Sequence, residues 1–348
     1  MKKVVWISDF PLRGSSFGSC TLDLLSRMPQ DYSFDVLSLG YNGMPLKITE
    51  NIRVFELEDG GQLNYYFKKL KPDISVVFHS YWMLDSLMPY VNCITGKRIL
   101  YLPVEGEEIP TAYEKCFSNF DAVTTPSEYC KKVLKKGGIN ASVVPHGVDT
   151  EFFKPKKKEW SEFTYGYFGL NDIRKQVPRV MEAFSKLEGK GVLEISANNK
   201  GHYDLLELAK KYKVSPVFLE AKLRGLTLNK EAIREWYQSL DVYISPATEG
   251  FGVPALEAQA CGIPTIALDS GAAREVLGNG AVYCNVADQL ETSVGKVGLV
   301  STNDLYRKMR FMMQVKDAYE KTAKKALSNA KKWTWENAVK KMIEVFEQ

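Results

Sequence analysis

Short runs of apolar and β-branched residues recur along the first part of the chain, at residues 4–7, 35–39, 74–78, 98–102, 122–125 and 142–144. Each is short and rich in β-branched residues, and reads as a strand. After residue 160 the rhythm restarts, at 164–168, 192–196, 216–219, 242–245, 265–267 and 281–283. Between the runs lie stretches of helical spacing, among them 20–28, 62–70, 177–187, 204–212, 230–240 and 254–260. Strands alternating with helices predict an α/β fold of doubly wound parallel sheets, and two successive cycles predict two such domains. A basic, proline-containing stretch at 153–160 interrupts the pattern and reads as a linker, giving domains at 1–155 and 160–332. Trp335, Val339, Met342, Ile343 and Phe346 follow at helical spacing and predict a closing helix over 333–348.

The length of 348 residues suits this division, since it allows two cores. A charged share of 25% and 12% aromatics describe an ordinary globular chain. The net charge of +4 is weak, and residues 1–150 carry 16 basic and 17 acidic groups against 30 and 25 in the remainder. Neither half has the charge of a dedicated nucleic-acid or membrane surface. Cys20, Cys93, Cys116, Cys130, Cys261 and Cys284 are scattered without a CxxC pair, which excludes a zinc ribbon or a thioredoxin-like motif and leaves reduced thiols as the expectation. The first apolar stretch is broken by Ser8 and Asp9, too early for a signal sequence, and no apolar run reaches the ~20 residues needed to cross a bilayer. A soluble, cytoplasmic protein is expected.

In doubly wound sheets ligands gather in loops at the carboxyl ends of strands, and the cleft between two such domains is the default site. The richest of these loops follows the run at 242–245 and reads Pro-Ala-Thr-Glu249-Gly-Phe-Gly-Val-Pro-Ala-Leu-Glu257. Pro254 suits a first helical turn, which sets the amides of Phe251, Gly252 and Val253 at a helix start where they can face an anion. Gly250 and Gly252 remove side chains that would block close approach. Two carboxylates beside an anion site make sense if they accept hydrogen bonds from sugar hydroxyls. The segment therefore reads as a nucleotide-sugar site, with diphosphate on amides and hydroxyls on Glu249 and Glu257. Either glutamate alone reads rather as a helix-start residue complementing the macrodipole, and only the whole segment favours the sugar site.

Glu249-x7-Glu257, embedded in SPATEGFGVPALEAQACGIPTIALDSGAAREV, resembles the EX7E motif of retaining GT-B glycosyltransferases, most closely glycosyltransferase family 4. YGYFGLNDIRKQVPRVMEAFSKL resembles the strand, phosphate loop and helix that open the donor domain of that family, VVPHGVDTEFFKP its interdomain turn, and KKWTWENAVKKMIEVF its last helix. The resemblance implies two Rossmann-like domains facing a cleft, the first for the acceptor and the second for the donor, with the last helix packing back on the first. It implies that Glu257 binds ribose and Glu249 the donor sugar, that Gly250, Phe251, Gly252 and Val253 contribute backbone contacts, and that Arg174 and Lys175 balance the diphosphate. Lys175 falls six residues after Gly169, as in the family, whereas Leu170 stands where a companion arginine is usual. Leu226, within Arg224–Thr227, resembles the base-reading loop, with Asn198 beside it, and Ser270-Gly271-Ala272, before a helix with Arg274 and Glu275, is a candidate wall of the donor pocket.

In the first half, Gly14 and Ser15 belong to a glycine-rich loop after strand one that faces diphosphate and acceptor in the family. His79, at a strand's carboxyl end, is the best candidate for an active-site histidine, with a hydrogen-bonded structural role as the alternative; His146 suits the interdomain turn and His202 the surface. Val104 stands where the family often has a histidine, and Glu105 beside it is a candidate for acceptor contact. No DxD motif and no Asp/His cluster with ligand spacing occurs, so no metal and no cofactor are expected.

These readings converge on a retaining, metal-independent transfer from a nucleoside diphosphate sugar, UDP- or GDP-linked, to a hydroxyl on a glycan, lipid or other acceptor. The alternatives are a non-catalytic nucleotide-sugar-binding subunit, or an epimerase or phosphorylase of the same fold. No nucleic-acid partner is indicated, while Lys131, Lys132, Lys135 and Lys136 leave room for peripheral membrane contact.

Overall fold

A computed structural model describes residues 1–12, 15–157, 162–199, 201–219 and 228–348. The chain forms two compact units: Met1–Gly147 with Ser293–Gly295 and Thr334–Gln348, and Val148–Thr292 with Lys296–Trp333. The longer helices are α1 (Ser16–Leu25), α2 (Leu63–Leu70), α3 (Glu128–Lys136), α4 (Val177–Ser185), α5 (Leu205–Tyr212), α6 (Lys230–Ser239), α7 (Val253–Ala260), α8 (Thr302–Gln314), α9 (Lys316–Ala330) and α10 (Trp335–Glu347).

In the first unit the strands are β1 (Lys2–Asp9), β2 (Tyr32–Leu39), β3 (Leu46–Thr49), β4 (Ile52–Leu57), β5 (Ile74–Phe78), β6 (Lys97–Tyr101), β7 (Ala122–Thr125) and β8 (Ser142–Val143). Their order is β3-β4-β2-β1-β5-β6-β7-β8. All pairs are parallel except β3–β4 at the edge. The continuous apolar run Val4, Val5, Trp6, Ile7 is buried, as a central parallel strand covered by helices requires. Trp6 donates its indole N–H to Thr21 Oγ1 at 3.1 Å, which ties β1 to α1. Helix α10 packs on α1 through a stripe of Trp335, Ala338, Val339, Met342, Val345 and Phe346. Lys97 Nζ donates to the Val345 carbonyl at 2.6 Å and so caps its last turn.

The second unit contains β9 (Thr164–Phe168), β10 (Val192–Ser196), β11 (Val217–Phe218), β12 (Val242–Ser245), β13 (Thr265–Leu268) and β14 (Ala281–Cys284). They pair in parallel in the order β11-β10-β9-β12-β13-β14. Tyr165, Val180, Met181, Ile195, Ile244, Met309 and Met312 are in its core. β15 (Val286–Thr292) and β16 (Gly295–Val300) form a separate two-stranded sheet.

Each doubly wound sheet reverses direction once, between β1 and β5 in the first unit and between β9 and β12 in the second. At such a switch point the loops leaving adjacent strands diverge and open a crevice at their carboxyl ends. The sequence supplies the strands but not this order. The loops after β9 and β12 in one unit, and after β1 and β5 in the other, are therefore the places to look for chemistry.

Candidate active site

In the second unit, the loop after β9 is shaped by Asp172, whose Oδ1 accepts the Arg174 amide at 2.7 Å and starts a single 3-10 turn, Ile173–Lys175. Gln176 closes that turn at φ 56°, a left-handed conformation that side-chain-bearing residues seldom adopt. Its buried amide accounts for this. Nε2 donates to the carbonyls of Pro246 and Gly298, both at 2.9 Å, and Oε1 accepts the Val300 amide at 2.8 Å. One side chain thus fixes the β9 loop to the β12 loop and to β16.

The basic pair is consequently held in place, where sequence alone allowed a solvated helix start. Arg174 is 7% exposed. Its Nη1 donates to the Thr248 carbonyl at 3.1 Å and lies 3.5 Å from Glu249 Oε2, while Lys175 Nζ pairs with Glu249 Oε1. Burial alone would raise the Glu249 carboxyl, but the Lys175 ammonium and the Arg174 guanidinium, each charge-paired and hydrogen-bonded to it, hold it below the usual carboxylate range. Two cations and one anion therefore converge at the switch point, with a positive excess.

The backbone behind Glu249 is fixed as closely. Thr248 Oγ1 accepts the Gly298 amide at 3.0 Å and lies 3.0 Å from the Ser270 hydroxyl. The Ala272 amide donates to the Glu249 carbonyl at 2.9 Å. Gly271 sits at φ 67°, and a Cβ there would lie 2.5 Å from the same carbonyl oxygen, so only glycine fits.

Helix α7 begins at Gly252, a left-handed N-cap at φ 91°, with Val253 and Pro254 in its first turn. First-turn amides have no intrahelical acceptor and face outward. Phe251 anchors the turn, its buried ring edge-on to Trp333 at 5.2 Å, and Gly250 is buried beside it. Glu257 lies further along α7 and its Oε2 accepts the Tyr237 hydroxyl at 3.1 Å. Asn198 follows β10, next to β9 in the sheet; its carbonyl accepts Asn171 Nδ2 at 3.1 Å, and its own Oδ1 is buried without a protein partner among the described residues. Leu170 is 63% exposed. Leu226 and the rest of Arg224–Thr227 lie outside the described residues, as does Gly14.

In the first unit the switch point brings together two residues of which sequence indicated one. Asp9 ends β1 and His79 follows β5, its neighbour, and Asp9 Oδ1 lies 3.2 Å from His79 Nε2. The Ser80 amide donates to Nδ1 at 2.9 Å, so Nδ1 is an acceptor, Nε2 carries the proton, and the imidazole donates to Asp9. Phe17 stacks on the ring at 4.5 Å. Ser15 Oγ accepts the Gly18 amide at 3.0 Å and caps α1. Glu105 is half-buried in the loop after β6, behind a fully buried Val104 whose amide donates to Cys130 Sγ at 3.2 Å.

His146 is buried against Phe78, Tyr101 and Trp335. Tyr101 donates its hydroxyl to the Val144 carbonyl at 2.7 Å and lies 2.9 Å from His146 Nδ1, so the imidazole N–H donates to the phenol oxygen. Burial pushes its pKa down to about 3, which makes it a neutral structural residue at ordinary pH.

Gln176, Tyr237, Thr248 and Asp9 were not indicated by sequence, because each acts through a partner distant in the chain. The order of the strands and the packing of the helices were the missing information.

Residues 148–310 match the family described as Glycosyl transferases group 1. A probable sucrose-phosphate synthase of Thermosipho melanesiensis is 27% identical over 223 residues, 59% of this chain and 47% of that protein. The chain thus spans about half the length of this curated relative. Among solved structures, a sucrose-phosphate synthase from Thermosynechococcus elongatus superimposes with a TM-score of 0.81 at 14% identity, covering 100% of this chain and 99% of that one. Anabaena Alr3699/HepE in complex with UDP-glucose gives 0.76 at 13% identity, covering 100% of both. With two doubly wound sheets and these neighbours, the chain has the GT-B fold and carries a group 1 glycosyl transferase domain.

Proposed function

We propose that this chain is a retaining glycosyltransferase that moves a sugar from a nucleoside diphosphate sugar to a hydroxyl acceptor without a metal ion. The observation that carries the proposal is the convergence of Arg174, Lys175 and Glu249 at the switch point of the group 1 domain. Arg174, Lys175 and the amides of Gly252 and Val253 receive the diphosphate. They stabilise the charge that grows on it as the bond to the sugar's anomeric carbon breaks, supplying what a divalent cation would otherwise bring. Glu249 accepts hydrogen bonds from the donor sugar, and Glu257 from the ribose. Asn198, just past the end of the neighbouring strand β10, is assigned to the base.

The acceptor oxygen bonds to the anomeric carbon on the face the diphosphate leaves, and its proton passes to a departing phosphate oxygen. Atoms and charge balance without a protein nucleophile. In the first unit we assign the acceptor side to the Asp9–His79 pair, Ser15, Glu105 and the segment containing Gly14. The imidazole fixed by Ser80 and Asp9 orients rather than abstracts, since its Nδ1 lone pair is already engaged. The UDP-glucose complex of the HepE neighbour supports a UDP-sugar or similar donor, and the sucrose-phosphate synthase relatives support a sugar as acceptor.

A non-catalytic nucleotide-sugar-binding subunit is favoured only by the exposed Leu170 and the buried Val104 at positions where the resemblance leads one to expect polar residues. The two readings separate on incubation with UDP-glucose, GDP-mannose and ADP-glucose in the presence of sugar and sugar-phosphate acceptors. Release of nucleoside diphosphate with formation of a product of retained anomeric configuration supports the enzyme. A donor that binds but is neither hydrolysed nor transferred supports the binding subunit, and an inverted product removes retention.

A further inference from the structure

We propose that Tyr237 is a positioning residue that makes the site selective for ribonucleotides, by holding the Glu257 carboxylate in the orientation that receives the ribose hydroxyls. This rests on the reading above that Glu257 binds ribose. Tyr237 lies on α6, is fully buried, and donates its hydroxyl to Glu257 Oε2 at 3.1 Å. Its ring is enclosed by Trp236, Tyr243 and Phe153, with centroids 5.3, 5.8 and 6.0 Å away. Trp236 is itself pinned, its Nε1 donating to Glu194 Oε2 at 2.7 Å. In a close-packed surround of this kind the phenol has no second place to go.

The direction of the bond is also fixed. Burial first, and then the charge of Glu257, push the Tyr237 hydroxyl well above its ordinary pKa, so it remains a donor and the carboxylate an acceptor. A glutamate on a helix has three side-chain torsions, and ordering them at the moment of binding weakens the complex. Here the bond from Tyr237 holds the end of that side chain before any ligand arrives. A carboxylate has about four acceptor positions, and the bond from Tyr237 takes one of them.

The test is isothermal titration of the full chain with UDP and 2′-deoxy-UDP, and with GDP and 2′-deoxy-GDP, for the wild type, Tyr237→Phe, Glu257→Gln and Glu257→Asp. Inorganic pyrophosphate serves as a ligand without ribose. The wild type is expected to prefer the ribonucleotide by about tenfold, the scale of one charge-assisted hydrogen bond. Tyr237→Phe should reduce that preference severalfold while leaving pyrophosphate affinity unchanged, which a merely structural loss would not do. Pyrophosphate affinity also reports whether the phenylalanine variant is folded, and Glu257→Asp, which withdraws the carboxylate from both Tyr237 and the ribose, should lower the preference at least as far.

If Glu257→Gln abolishes the preference while Tyr237→Phe keeps it whole, the role of Tyr237 is overturned and Glu257 as the ribose ligand stands. If the wild type shows no preference, or Glu257→Gln leaves it intact, both fall.

Discussion

Lys175, from the turn after β9, is ion-paired with Glu249, from the loop after β12, so the cation assigned to the diphosphate and the carboxylate assigned to the sugar neutralise one another. A bound diphosphate must share or take over this charge. Glu249→Gln should therefore bind UDP or pyrophosphate roughly three- to fivefold more tightly, the value of a part-exposed pair of up to about 1 kcal/mol, while transfer falls sharply. Lys175→Ala should weaken binding and transfer together with the fold intact. Titration calorimetry alongside a transfer assay measures both, and weaker diphosphate binding by Glu249→Gln would count against the shared charge.

Gly271 and Gly252 both adopt positive φ, but they differ in surroundings. A Cβ on Gly271 would lie 2.5 Å from the Glu249 carbonyl oxygen, whereas one on Gly252 meets nothing nearer than 3.8 Å. Gly252→Ala should cost about 1–2 kcal/mol for the left-handed backbone alone. Gly271→Ala should cost more than that and also displace Glu249, lowering activity. Urea unfolding of the two variants gives the order directly.

Gln176 combines a left-handed backbone with three buried hydrogen bonds. Gln176→Ala loses the bonds and keeps the backbone cost, for a loss of about 3 kcal/mol at about 1 kcal/mol per bond. Gln176→Gly loses the same bonds but adopts the conformation freely, so it should be the more stable of the two by about 1 kcal/mol. Thermal and urea unfolding would show the reverse order if the backbone were unstrained.

His146 gives the first unit a pH dependence. Its folded pKa of about 3 lies below the ordinary value of 6.5, so its stabilising effect is fully present above pH 6.5 and is lost as pH falls from there towards 3. Below 6.5 the unfolded chain binds the proton and the folded chain does not, at about 1.4 kcal/mol per pH unit. Stability measured between pH 6.5 and 4.5 should fall less steeply for His146→Gln than for the wild type. Equal slopes would show that the imidazole is not held neutral.

Much of the scaffold was legible in the sequence because fully buried parallel strands are continuous apolar runs, and those at 74–78, 122–125, 164–168 and 192–196 coincide with β5, β7, β9 and β10. β15 was not, since Val-Ala-Asp-Gln-Leu-Glu-Thr is mostly exposed and has no apolar face to reveal it. β3 lies at the sheet edge with β4 beside it, and partial exposure dilutes the pattern in both. Of the candidate site, Glu249 and Glu257 could be proposed from sequence because one loop and one helix carry both. The Asp9–His79 and Tyr237–Glu257 bonds could not, because each joins elements whose proximity depends on strand order or helix packing. Gln176 gave no signal, as its left-handed turn is stabilised by distant carbonyls rather than by a glycine.

The most direct measurement of the central claim is the unfolding midpoint of the wild type and of Lys175→Ala with and without UDP, GDP, ADP and their sugars. A ligand that binds only the folded chain raises its stability by mass action. The expected result is that one nucleoside diphosphate or its sugar raises the wild-type midpoint and that the rise is largely lost in Lys175→Ala. No rise with any of them, or an equal rise in the variant, would contradict a diphosphate site at Arg174, Lys175 and Glu249.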